Sequence, residues 1–213
     1  MLPDPDAPPI PFRAELGRKA LHLASLAVPA AMLALGREAS VLALAPLVAL
    51  AVGGDVLRAR SRAFAGFIDR TFGWMMRAEE RPPFPAPVVL NGATWVLASA
   101  LLLALAFPPA VAVPAFAAFM VGDAAAALVG RRFGRHRWPG TTRTLEGSAA
   151  FALTAFAVLI AIPHLATGAL PPARGVPAAF AALAMAAAEA LPLRVNDNLR
   201  APLAGALALW AFG

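Results

Sequence analysis

VVLNGATWVLASALLLALAF, residues 88–107, is followed after two prolines by AVAVPAFAAFMVGDAAAALVG, residues 110–130. Through both stretches the only charged side chain is Asp123. Each is about as long as the 20 or so apolar residues a helix needs to cross a bilayer. Comparable runs occur at 17–35, 39–57, 147–163, 177–193 and 199–213. The sequence therefore predicts an all-α, polytopic membrane bundle of about seven transmembrane helices, the last one short. With 60% hydrophobic and 14% charged residues there is too little polar surface to coat a soluble globule, which carries about a quarter charged residues. No Gly/Ser linker, charge block or repeat beyond the spans divides the chain, so residues 1–213 are expected to form a single domain.

The formal charge of +6 would suggest nucleic acid in a soluble protein. Here the basic residues follow a different logic. Arg13, Arg18 and Lys19 lie before or at the start of the first run, and Arg58, Arg60, Arg62, Arg70, Arg77 and Arg81 follow the second. Arg131, Arg132, Arg135, Arg137 and Arg143 separate the fourth from the fifth, and Arg194 and Arg200 flank the last turn; only Arg37 and Arg174 fall in the alternate loops. Basic loops face the cytoplasm. That rule predicts an inner-membrane protein with its N-terminus inside, a cytoplasmic polar face and no nucleic-acid partner. MLPDPDAPPIPF lacks the basic start of a secretory signal, so the first helix is expected to be retained. Absence of cysteine excludes disulfides and thiolate chemistry.

Residues 58–77, RARSRAFAGFIDRTFGWMMR, alternate arginines with Phe64, Phe67, Ile68, Phe72, Trp74 and Met75. That mixture suits an amphipathic helix in the headgroup layer, placed to cover the entrance to a lipid-facing site; the alternative is a positively charged connector whose aromatics merely touch lipid. A span-buried acid costs about 2.5–3.5 kcal/mol even on lenient insertion scales. Under the predicted topology Glu15, Asp55, Asp123, Glu146, Glu189 and Asp197 all lie near cytoplasmic helix ends.

Three clusters carry the candidate chemistry. In ELGRKALH, Glu15, Arg18, Lys19 and His22 follow i, i+3, i+4, i+7 spacing and share one helix face. Lys19 is the only lysine beside seventeen arginines, and a compact ammonium suits phosphate oxygens or proton transfer. GDAAAALVGRRFGRHRWPGTTRTLEGS, residues 122–148, joins Asp123 and the small-residue stripe Gly122, Ala126, Gly130, Gly134 to an arginine-rich loop. Arg131 and Arg143, Thr144, Glu146 and Ser148 close it. Small residues on that stripe allow close approach of another backbone or a ligand. The third cluster is Glu189 with RVNDNLRAP, residues 194–202, where Asn196, Asp197 and Asn198 also suit a turn and a helix cap. Carboxylates beside arginines and free amides are what a magnesium-bound polyphosphate requires. There is no GxxxxGK[ST], so this is not a P-loop.

Taken in order, Glu15–His22, Arg77 and Glu80 with NGAT at 91–94, GDAAAALVGRRFG, RTLEGS and the Asp197–Asn198 turn resemble the CTP-dependent membrane lipid kinases. These are the dolichol, phytol and yeast-type diacylglycerol kinases, relatives of phosphatidate cytidylyltransferase. The resemblance implies transfer of the γ-phosphate of CTP to the hydroxyl of a lipid alcohol, with Mg2+, at the cytoplasmic membrane face. It implies that Asp123 and Glu146 hold the metal. Lys19, Arg143 and the loop around Gly134 would hold phosphates, within a nucleotide site that also takes in Arg18, Gly122, Gly130, Arg131, Thr144, Ser148 and Asn198. Asp197 or His22 would orient or deprotonate the hydroxyl. The family usually has lysine where this chain has Arg143, and arginine keeps its charge and adds bidentate phosphate contact but does not readily lose a proton. Asp123→Ala is expected to abolish turnover without unfolding the chain, by deleting a metal ligand and relieving a desolvated charge. A cytidylyltransferase is the nearest rival, although its C-terminal signature is missing. A small transporter is the non-enzymatic alternative, but it would favour midplane acids and duplicated halves.

Overall fold

The computed structural model describes residues 11–76, 80–82, 84–167, 175–193 and 195–213. Arg77, Arg174, Arg194 and the first ten residues of the acidic N-terminus, named above, lie outside the described residues. Within them the chain is all helix: α1 (Phe12–Ala24), α2 (Ala27–Arg60), α3 (Arg62–Phe72), α4 (Gly92–Ala106), α5 (Pro109–Phe133), α6 (Leu145–Thr167), α7 (Gly175–Ala190) and α8 (Asp197–Phe212). The one strand-like feature among them is an isolated bridge between Arg137 and Thr144.

Local chemistry sets these limits. Ala and Leu dominate the helix interiors and are strong helix formers. The first run is broken at Ser25 and Leu26 and then turns at Gly36, which sits at φ 73° within α2. Glycine reaches that conformation without a Cβ penalty. The chain reverses there. Lys19 on α1 meets Asp123 late in α5, whereas Met32 and Gly36 share a small cleft with Ala112 and Val113 near its start. Residues 37–60 then run back against α4. Arg37 donates to Ala104 O at 3.1 Å and to Leu105 O, at the end of α4, and Asp55 reaches Asn91 at its start.

Helix α4 is shorter than the expected 88–107, since residues 88–91 lie outside any helix. Asn91 then caps it through Ala93 N and Thr94 N. In α5, Pro109 occupies the first turn, where its missing N–H costs nothing. Of the interfacial stretch 58–77, Arg58 and Arg60 belong to α2 and only Arg62–Phe72 forms the separate amphipathic helix.

Among the described residues three segments are long and apolar enough to cross a membrane: Phe12–Arg60, Pro109–Phe133 and Leu145–His164. The core forms around α5, whose Phe116, Phe119 and Met120 are buried with Leu103, Phe151 and Met185. Outside, large apolar side chains are left bare, Leu42 at 77% and Leu153 at 71%. An apolar exterior over a well-packed interior is the pattern of a helix bundle solvated by lipid.

Candidate functional site

Charged side chains from distant stretches collect at one end of the bundle. On α1 the i, i+4 pair Glu15 and Lys19 is buried, at 6% and 7% exposure. Lys19 Nζ stands 2.5 Å from Asp123 Oδ2 and 4.0 Å from Glu15 Oε1. Arg131, two turns beyond Asp123 on α5, reaches the other oxygen of Glu15 at 3.4 Å. Pairing of this kind offsets the desolvation that a lone buried ion would suffer.

His22, one turn further along α1, brings Nε2 to 3.2 Å from the same Asp123 oxygen. The approach lacks hydrogen-bond geometry, so Nε2 is buried without a partner. The imidazole packs edge-on against Phe119, 5.4 Å between centroids. Arg18 projects to the side of this group and pairs with Glu80 at 2.9 Å.

A second group faces the first. Arg143, at the mouth of the α5–α6 loop, grips both Asp197 at the start of α8 and Glu189 at the end of α7. Arg143 acts electrostatically on Asp123, and Asp197 on His22, so the groups share one field. Asn198 and Glu80 both border Gly92, the first residue of α4, which joins the NGAT segment to the same end. There, Asp55 is buried and accepts from Asn91 N at 3.1 Å, Asn91 Nδ2 at 2.6 Å and Thr94 Oγ1 at 2.7 Å. These bonds tie α2 to α4, a structural clasp that spacing in the sequence did not reveal.

The loop residues divide. Gly122, Gly130 and Gly134 face other protein atoms: a Cβ at Gly122 would strike the Phe151 ring at 2.9 Å, and one at Gly130 would strike Thr144 Oγ1 at 2.9 Å. Their stripe is the seat of α6. Thr144 Oγ1 accepts from Gly147 N at 3.1 Å and so caps α6. Ser148 Oγ accepts from Trp138 Nε1 at 3.0 Å. Glu146 accepts from His136 Nδ1 at 2.7 Å and from His136 N at 3.3 Å, outside the two buried groups.

Thus Arg18, Lys19, His22, Asp123, Arg131, Arg143, Asp197 and Asn198 collect at this end, while Glu146 and Ser148 are held by the loop. Among the described residues no three His, Asp or Glu side chains converge as a ready metal nest. Two participants had no role assigned from the sequence. Glu189 heads the third cluster without a role of its own, and Arg200 reads from the sequence as an orientation charge. For Arg200 a signal was present in helical spacing, since it follows Asp197 by about one turn within α8.

Known proteins resemble the chain in part. It is 48% identical to dolichol kinase of Saccharomyces cerevisiae over 42 residues, a stretch covering 20% of this chain and 8% of the yeast protein. It is 24% identical over 208 residues to an uncharacterized protein of Rickettsia prowazekii, covering 94% of this chain and 96% of the other. No protein-family profile matches, and no solved structure does.

Proposed function

We propose that the chain is a membrane lipid-alcohol kinase using CTP, with its site on the cytoplasmic face of an inner-membrane bundle of seven spans. The observation that carries this reading is the meeting of Lys19, His22 and Asp123 with Arg143 and Asp197 at one bundle end. A nucleotide's polyphosphate needs little more than positioned cations and carboxylates. The short similarity to dolichol kinase supports the reaction class. The acceptor would be a polyprenol, phytol or diacylglycerol, and a bare apolar exterior is how it would arrive.

In the proposed step the lipid hydroxyl oxygen attacks the γ-phosphorus of CTP. The bond from that phosphorus to the β,γ-bridging oxygen breaks, CDP leaves, and the hydroxyl proton passes to His22 or Asp197. Lys19, Arg143 and Arg131 bind phosphate oxygens, with Arg18 held ready by Glu80. Gly122, Gly130, Gly134 and Thr144 act by shaping the loop, and Ser148 and Asn198 supply polar edges. Magnesium commonly takes one or two carboxylates, with phosphate oxygens and water completing its shell. Asp123 holds Lys19 and Glu146 lies apart on His136, so the two do not make one donor set; either carboxylate would hold the ion together with the nucleotide's phosphates, where it would neutralise charge on the polyphosphate.

Full-length protein in detergent, given magnesium, labelled CTP and a panel of lipid alcohols, should produce a lipid monophosphate and CDP. Pyrophosphate with a CDP-lipid would replace the kinase by a cytidylyltransferase. No nucleotide turnover, with solute flux in liposomes, would replace it by a transporter.

A further inference from the structure

Arg200 is the fourth residue of α8. Its guanidinium folds back on the end of α7, where Nη2 donates to Glu189 O at 3.3 Å. Helix α7 has no basic residue in its own last turn, so that bond caps it. The cap explains one nitrogen. Nε and Nη1 are also buried, and no acceptor meets either among the described residues.

An arginine cannot relieve this by losing its proton. Unmade hydrogen bonds of a buried charged group cost more than those of a neutral one. The obvious acceptors are nearby but engaged: Arg143 holds the carboxylates of both Asp197 and Glu189. Two guanidinium groups thus border two carboxylates, and one of the cations takes both.

We infer that Arg200 is an oxyanion-binding residue whose Nε and Nη1 receive phosphate oxygens brought to the Arg143–Asp197 corner. Phosphate is the ligand chemistry because it offers several charged oxygens to donors that point in different directions, and charge-assisted bonds to it are strong. The phosphate belongs either to the nucleotide or to a phosphorylated lipid. This inference rests on the proposed reading of the same end of the bundle, and deepens it by adding a cation that the motifs did not mark.

The test measures binding of CTP, inorganic phosphate and decyl phosphate to full-length protein in a non-ionic detergent. Arg200→Gln keeps an N–H donor for Glu189 O but removes the charge; Arg200→Lys keeps the charge. The expected result is that the wild type binds a phosphate probe, Arg200→Gln weakens it about tenfold to a hundredfold, and Arg200→Lys loses less. Loss of CTP alone assigns the nucleotide as source, and loss of decyl phosphate assigns the lipid product. Equal binding by wild type and Arg200→Gln, with an unchanged melting temperature, overturns the inference and leaves a cap. If that equality accompanies lipid kinase turnover, the subsite falls and the kinase reading stands. Phosphate binding that depends on Arg200 without any turnover has the opposite meaning.

Discussion

Lys19 and Asp123 are separated by 104 positions, yet each is the other's main counter-charge. Removing one partner of a buried ion pair strands the other, at a cost of about 3–5 kcal/mol. With Asp123→Ala, Lys19 would keep only Glu15 at 4.0 Å. The variant is therefore expected to lose stability as well as turnover, which revises the sequence-based expectation of a folded, silent protein. Asp123→Asn, which keeps an acceptor for Nζ, separates the two effects. Thermal unfolding in detergent should show it more stable than Asp123→Ala, while the CTP assay should show turnover down about a hundredfold or more. Full turnover in Asp123→Asn would remove Asp123 from the site. His22 was legible from the i+7 spacing, but its orphaned Nε2 was not, because hydrogen-bond geometry depends on ring orientation.

Between elements, the decisive contact is the crossing of α5 and α6. A Cβ at Gly147 would lie 2.9 Å from Ala126 O and 3.4 Å from Gly130 Cα, so backbone must move to admit a side chain. Gly147→Val is expected to cost about 1–3 kcal/mol by overpacking and to displace Thr144 and Arg143 from the site. Gly54 on α2 has open space around it, so Gly54→Ala should leave the melting temperature unchanged or higher. Parallel melting curves of the two variants check the assignment; equal losses would contradict it. The glycine stripe was visible in the sequence. Its partner was not, since either a ligand or a helix can occupy a small-residue groove. Helix α3 was more legible because aromatics among arginines report their own environment: Phe67, Phe72 and Trp74 are exposed. What remained hidden was that the Trp74 ring lies over Gly17 on α1, close enough that a Cβ there would collide with it.

At the scale of the molecule, Lys19, Asp123 and Arg143 mark one end and Arg37 with Glu38 the other. The proposed topology puts the first end in the cytoplasm. A chain without cysteine allows a direct check. Arg135→Cys, in the exposed α5–α6 loop, should react with an impermeant maleimide only from the cytoplasmic side. Glu38→Cys should react only from the opposite side, and labelling of both from one side would overturn the orientation.

Composition and run length by themselves determined that this is a helical chain, apolar enough to cross a membrane, with its charges gathered at run ends. Those properties are summed over neighbouring residues and need no partner. Tertiary structure alone decided that Lys19 holds Asp123, that Arg143 takes both Asp197 and Glu189, and that Arg200 is left with bare donors. Each pairing depends on how far a helix is rotated about its axis and how closely its glycines let the next one approach. Those quantities are set by contacts between residues far apart in the chain, and local sequence does not encode them.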